Sequence, residues 1–240
     1  MLNPLDQFEI KKLFDITIGG YDISYTNSSF MMSAVLLFIF FVLGVMALRP
    51  KAIPSRIQII GESLYELIDS MILGTAGKEA KRYMPFIFTL FMFIISSNLL
   101  GMIPYSFTVT SHIIVTFIMA AVVFFSVTII GFARHGFGYL SLFLPQGTPI
   151  VMAPLMVFTE FFAYMVRPVS LSVRLAANIT AGHIVMKVIA SFVIMSGIIG
   201  VLPFVLLILF TGFEIFVAVL QAYIFTILSC VYLTDAIKLH

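Results

Sequence analysis

The sequence predicts an all-α integral membrane protein: upright transmembrane helices, one amphipathic interfacial helix, and a long, steeply inclined C-terminal helical hairpin. Three observations carry this. Of the 240 residues, 61% are hydrophobic and only 10% are charged, with mean hydropathy +1.15, whereas soluble domains carry about 25% charged residues. Apolar runs of spanning length alternate with short polar, basic segments. The last two runs are much longer than a bilayer is thick. A single membrane domain over residues 1–240 is expected.

The same composition excludes several functions. A net charge of +2, no basic cluster and no Gly-rich phosphate loop leave nothing that reads as nucleic-acid or nucleotide binding. The single cysteine, Cys230, excludes an internal disulfide framework and a cysteine metal site, and in YIFTILSCVYL it reads as a buried packing residue. The four histidines lie far apart without metal-ligand spacing, so no metal or other cofactor is expected. Residues 1–28 lack the apolar core of a signal peptide and the Arg-rich, acid-poor character of a transit peptide, which predicts synthesis on the membrane the chain inhabits.

Each element follows from its pattern. A spanning helix needs about 20 apolar residues. Residues 1–29 form an outer-side N-terminal segment; Phe30–Leu48 is the first span, ended by RPKAIPSR with its two prolines. In Ile57–Leu73, Ile60, Leu64, Leu67, Ile68 and Met71 recur at helical spacing while Glu62, Glu66 and Asp69 hold another face, the pattern of an amphipathic helix on the interface or a partner. Met84–Ile103 and Ile113–Phe132 are the second and third spans, followed by a polar turn whose Arg134 and His135 set topology. The rest is apolar to Leu233, broken at 197–203 into arms 154–196 and 204–235. The first arm would extend about 63 Å as a helix against a hydrocarbon core of about 30 Å. With no polar loop in mid-arm, inclination is the remaining solution. The loop 49–83 holds Arg49, Lys51, Arg56, Lys78, Lys81 and Arg82, which places it, and the C-terminus, on the inner side and the N-terminus outside.

The arms carry the polar residues that demand a function. Glu160, Arg174, Asn178 and His183 lie on the first, and Glu214, Gln221 and Asp235 on the second. Folding the arms about 197–203 brings Glu160 opposite Asp235, Arg174 opposite Gln221 and His183 opposite Glu214 in one register. Glu160, Arg167 and Arg174 recur every seven residues, drifting about 20° per heptad, and Asn178 follows Arg174 by one turn. His183 breaks that file, which gives an inner and an outer polar site displaced sideways with Arg174 between them. His and Glu can exchange protons near neutral pH, whereas Arg cannot, so a fixed cation between two titratable sites blocks a leak. At mid-membrane an Arg costs about 2.5–3.5 kcal/mol. No acid on its own arm is close enough to neutralise Arg174, so its counter-ion is expected from another chain. Asn98, His112 and Gln221, taken singly, also suit helix-to-helix glue. Arg167, beside Pro168, reads as snorkelling or as a donor to a backbone carbonyl, and Lys187 as reaching the outer interface.

The stretch RPVSLSVRLAANITAGH (167–183), with FEIFVAVLQAYIFTILSCVYL (213–233), NLLGMIPY (98–105) and NPLDQFEI (3–10), resembles subunit a of the F-type ATP synthase, most closely its alphaproteobacterial and mitochondrial branch. The resemblance implies a non-catalytic proton-channel subunit, with ATP chemistry on other subunits. Its implied partners are a c-ring of proteolipid subunits, the peripheral stalk subunit b and other membrane-sector subunits in the bilayer. Arg174 would face the ring carboxylate. His183, Glu214 and Asn98 would form the outer half-channel, Glu160 and Asp235 the inner one, with Gln221 and Asn178 positioning the arginine and the hairpin wrapping the ring. The implied location is an energy-transducing inner membrane, mitochondrial or bacterial. A rival reading, a secondary transporter holding an anionic substrate on Arg174, is opposed by the absence of an inverted repeat.

Overall fold

The computed structural model describes residues 9–15, 17–18, 21–22, 24–47, 56–103, 106–144, 152–195 and 200–238. The expected all-α membrane class is borne out: the described residues are predominantly helical, and five helices among them are long and apolar enough to cross a membrane. In order they are α1 (Asn27–Ala47), α2 (Arg56–Thr75), α3 (Met84–Gly101), α4 (Ile113–His135), α5 (Ala153–Met195) and α6 (Val201–Ile237), of which α2 is the amphipathic one. Short 3-10 turns cover Lys78–Tyr83, Val109–Ser111 and Gly136–Phe143. Part of the 197–203 break and most of NPLDQFEI lie outside the described residues.

Helix starts follow local chemistry. Thr26 Oγ1 accepts from the Ser29 backbone N–H at 3.4 Å and Asn27 Oδ1 from Ser28 at 2.9 Å, which caps α1. In α3, α5 and α6 a proline stands in the first turn, at Pro85, Pro154 and Pro203. There its missing N–H has no intrahelical partner to lose and its fixed φ suits the helix. That is why α6 begins at Val201 rather than after Pro203. Gly77, at φ 82°, adopts a backbone state that L side chains avoid and accompanies the end of α2, its N–H bonded to Ile72 O at 3.0 Å. Pro168 lies inside α5, which continues through it. Several hydroxyls within the spanning helices bond to the preceding turn, as Thr89 does on Pro85 O, Thr211 on Leu207 O and Ser229 on Phe225 O. Such back-bonding makes them compatible with hydrocarbon.

Four short strands were not foreseen. β1 (Lys12–Phe14) pairs antiparallel with β4 (Tyr25–Thr26), and β2 (Thr17–Ile18) with β3 (Tyr21–Asp22). Asn27 ties this pair of hairpins to α1, donating from Nδ2 to Glu9 O and accepting from the Lys11 N–H.

The chain forms two compact units: Met1–Arg49 with Met92–Val115 and Leu175–Ala222, and Pro50–Phe91 with Thr116–Arg174 and Tyr223–His240. The second has its core on Ile68, Ile72, Ile87, Phe91, Tyr139, Leu171, Phe225 and Leu233, all nearly inaccessible. Of the apolar face of α2, Ile68 and Met71 are buried, as is Ile72, while Ile60 and Leu67 are exposed, as suits a face open to a membrane interface or a partner. One expectation needs correcting. Arg134 and His135 are not loop residues. They end α4, where Arg134 bridges to Glu79 at 2.8 Å and His135 Nε2 lies 3.1 Å from Ile237 O. Cations in the last helical turn suit the negative end of the helix dipole.

Candidate functional site

The polar residues of the first unit gather around His183. The 3-10 turn Val109–Ser111 and the residue before it present buried hydroxyls: Thr108 Oγ1 lies 3.3 Å from His183 Nε2, and Thr110 Oγ1 donates to Asn98 Oδ1 at 2.8 Å. Asn98, fully buried, donates in turn to the Ala218 carbonyl on α6 at 3.1 Å. Thr180, on α5, donates to Ser111 O at 3.3 Å. Glu214 is buried at 3% exposure, and its carboxyl group packs directly on the Cα of Gly182. A methyl group at 182 would occupy the space of both carboxylate oxygens. The glycine preceding the histidine is thus what admits a glutamate from the opposite arm. Asn178 Nδ2 donates to Gln221 Oε1 at 3.0 Å, and Gln221 Nε2 is buried without a partner among the described residues.

The second unit holds a different arrangement. Asp235 accepts from Arg167 Nη1 at 2.7 Å. The guanidinium also lies over two rings, 5.4 Å from the centroid of Tyr164 and 5.0 Å from that of Tyr232. Tyr164 OH continues the cluster to Thr128 at 2.5 Å and to Tyr139 OH at 3.2 Å. This corrects the reading of Arg167 as snorkelling or bound to a carbonyl, and the expected pairing of Asp235 with Glu160. An ion pair in a medium of low dielectric outweighs two facing carboxylates, which would repel. Glu160 is partly exposed and makes no hydrogen bond or ion pair among the described residues. Arg174 stands exposed on α5 and likewise makes neither.

No cluster of His, Cys, Asp and Glu among the described residues could hold a metal. What remains is a helical membrane protein with an exposed arginine in its longest apolar helix, Arg174, that makes no ion pair among the described residues, and a buried His, Glu, Asn and hydroxyl cluster. The sequence from α1 nearly to the end of α6, residues 28–234, matches the family model of the ATP synthase A chain. The chain belongs to that family. It is therefore a proton-translocating subunit of an ATP synthase membrane sector, in an energy-transducing membrane, and associates with other subunits of that sector such as the c-ring.

Sequence reasoning passed over Thr108, Thr110, Gly182 and the Arg167–Asp235 pair. The first two carry a signal in retrospect: FTVTS places three hydroxyls within four residues beside a membrane span.

Proposed function

We propose that this chain is the stationary partner of the c-ring, offering two offset half-channels separated by Arg174. Arg174 faces the ring carboxylate, and a proton bound there cannot pass the arginine directly because the guanidinium neither gives up its own proton nor tolerates another. Protons from the outer side reach the ring past Asn98, His183 and Glu214. They ride nearly a full turn on the ring and leave beside Arg174 toward Glu160 and Asp235, the latter tethered by Arg167. Asn178 and Gln221 hold the local frame for the arginine. The arms 154–196 and 204–235 lie inclined around the ring, with the N-terminus outside and the C-terminus inside. Peripheral stalk subunit b is a further partner. Each charge crossing 100 mV releases about 2.3 kcal/mol, too little for ATP, so a rotor must accumulate several passages. ATP chemistry belongs to other subunits.

One observation carries this reading: Arg174, in an apolar helix of 43 residues, is exposed and has no hydrogen bond or ion pair among the described residues. An uncompensated cation in hydrocarbon is costly, so a carboxylate on a neighbouring chain is the economical counter-ion. The test is ATP-driven proton pumping by the assembled complex in inverted membrane vesicles. Arg174→Ala abolishes it while the complex still assembles; normal pumping in that variant would falsify the mechanism.

A further inference from the structure

We propose that Thr108 is a positioning residue of the outer half-channel, fixing which nitrogen of His183 takes up and releases the proton. The inference rests on the assignment of His183 to that path. Its basis is hydrogen-bond arithmetic at one buried oxygen. Thr108 is fully buried, and its Oγ1 donates its only hydrogen to Gly101 O at 3.1 Å. A carbonyl can only accept. With that hydrogen assigned to the shorter contact, Oγ1 is left to accept at its second one, to His183 Nε2 at 3.3 Å, and the tautomer we assign is the one with Nε2–H as donor. With hydrogen on Nε2, the neutral ring carries its basic lone pair on Nδ1, so proton exchange is directed to that side of the imidazole.

The surroundings hold Thr108 to this role. Gly101 is the last residue of α3 and closes NLLG. A Cβ there would lie 2.6 Å from Thr108 Cγ2, so only glycine lets the threonine approach its carbonyl. Asn98, at the start of the same motif, is gripped by Thr110 from the same 3-10 turn. Both ends of NLLG are thereby locked to the FTVTS turn, one through each threonine, and Ser106 Oγ lies 2.8 Å from Leu100 O and 3.1 Å from Gly101 O.

The prediction concerns the cationic ring. Imidazolium always carries Nε2–H, whereas the neutral ring can move its hydrogen to Nδ1. Removing the Thr108 oxygen therefore penalises the charged form and makes His183 harder to protonate. In the parts of α3, α5 and α6 that share its compact unit, and beside the 3-10 turn, the other titratable groups are Lys187 on α5, Glu214 on α6 and His112; α3 has none. All three stay unchanged in a Thr108 series.

The experiment measures ATP-driven pumping against pH in vesicles containing the whole synthase, normalised to assembled complex, for Thr108→Val, Thr108→Ala, Thr108→Ser and His183→Ala. Loss of one hydrogen bond to a charged donor is expected to move the pH midpoint of Thr108→Val and Thr108→Ala to the acid side by about 0.5–1 unit. Thr108→Ser, which keeps the oxygen, retains the parental midpoint. Should the valine variant not assemble, the alanine and serine variants make the same comparison. An unshifted midpoint in alanine, or an equal shift in alanine and serine, overturns the inference. If His183→Ala itself pumps with the parental profile, it is the assignment of His183 to the proton path that fails.

Discussion

The ion pair between Arg167 and Asp235 lends itself to a double-mutant cycle. Its side chains are 27% and 21% exposed, so it is neither a surface bridge nor a sealed one. Removing one partner of a buried pair costs about 3–5 kcal/mol, and an exposed pair contributes about 0–1 kcal/mol. At this depth Arg167→Gln is expected to cost about 2 kcal/mol by interpolation between those limits. The rings of Tyr164 and Tyr232 add about 0.5–1 kcal/mol each for the lost cation. Asp235→Leu, which strands the arginine, should cost a similar amount. Replacing both, as Arg167→Met with Asp235→Leu, removes the stranded charge and should restore all but about 1 kcal/mol. The assay is the thermal midpoint at which this subunit leaves the purified complex in detergent. A double variant as unstable as its two single changes combined would refute the brace.

Three other outcomes are expected. Gly182→Ala drives a methyl group into the Glu214 carboxyl, at a cost of about 1–3 kcal/mol; it should lower the same thermal midpoint, and Glu214→Asp in the same chain should recover part of the loss. Gly131→Ala meets the ring of Tyr139, which is 1% exposed; it should disrupt the Thr128, Tyr164 and Tyr139 hydroxyl cluster, visible as faster hydrogen exchange at the end of α4, and unchanged exchange would count against this packing. His112 stacks on Phe107 at 4.9 Å, and burial pulls its pKa below the usual 6.5. The folded state thus disfavours the protonated ring, so its contribution is intact above about pH 6.5 and declines as pH falls from there toward the folded pKa. Exchange protection of the Ser111 and His112 amides, both bonded within the 3-10 turn, should weaken in that window, and His112→Phe should remove the dependence.

The sequence revealed most where one physical constraint dominated. The spanning class was legible because hydrocarbon admits few charges and hydropathy records that directly. The prolines at the starts of α3, α5 and α6 have a plain meaning once the helices are in view, yet from sequence alone Pro203 reads as part of the turn rather than of the helix. Arg174 stood out by cost alone. The partners of the other polar residues were less legible, since a register drawn from residue numbers assumes straight, evenly paired arms. Asp235 found Arg167, where simple mirroring assigned Glu160. Contacts from a third segment were invisible to that construction: nothing in the two arms announces that the turn after α3 supplies Thr108 and Thr110. The strands between Lys12 and Thr26 were missed because two- and three-residue pairings leave no periodicity to read.

The exposed guanidinium of Arg174 bears on the biogenesis of the complex. A newly inserted copy, before any acidic neighbour docks, carries a penalty of about 2.5–3.5 kcal/mol at full depth, enough to favour shallow or tilted placement of α5 and to expose it to membrane proteases. An orphan subunit is therefore expected to be short-lived, and its abundance to follow the supply of the ring that quenches the charge.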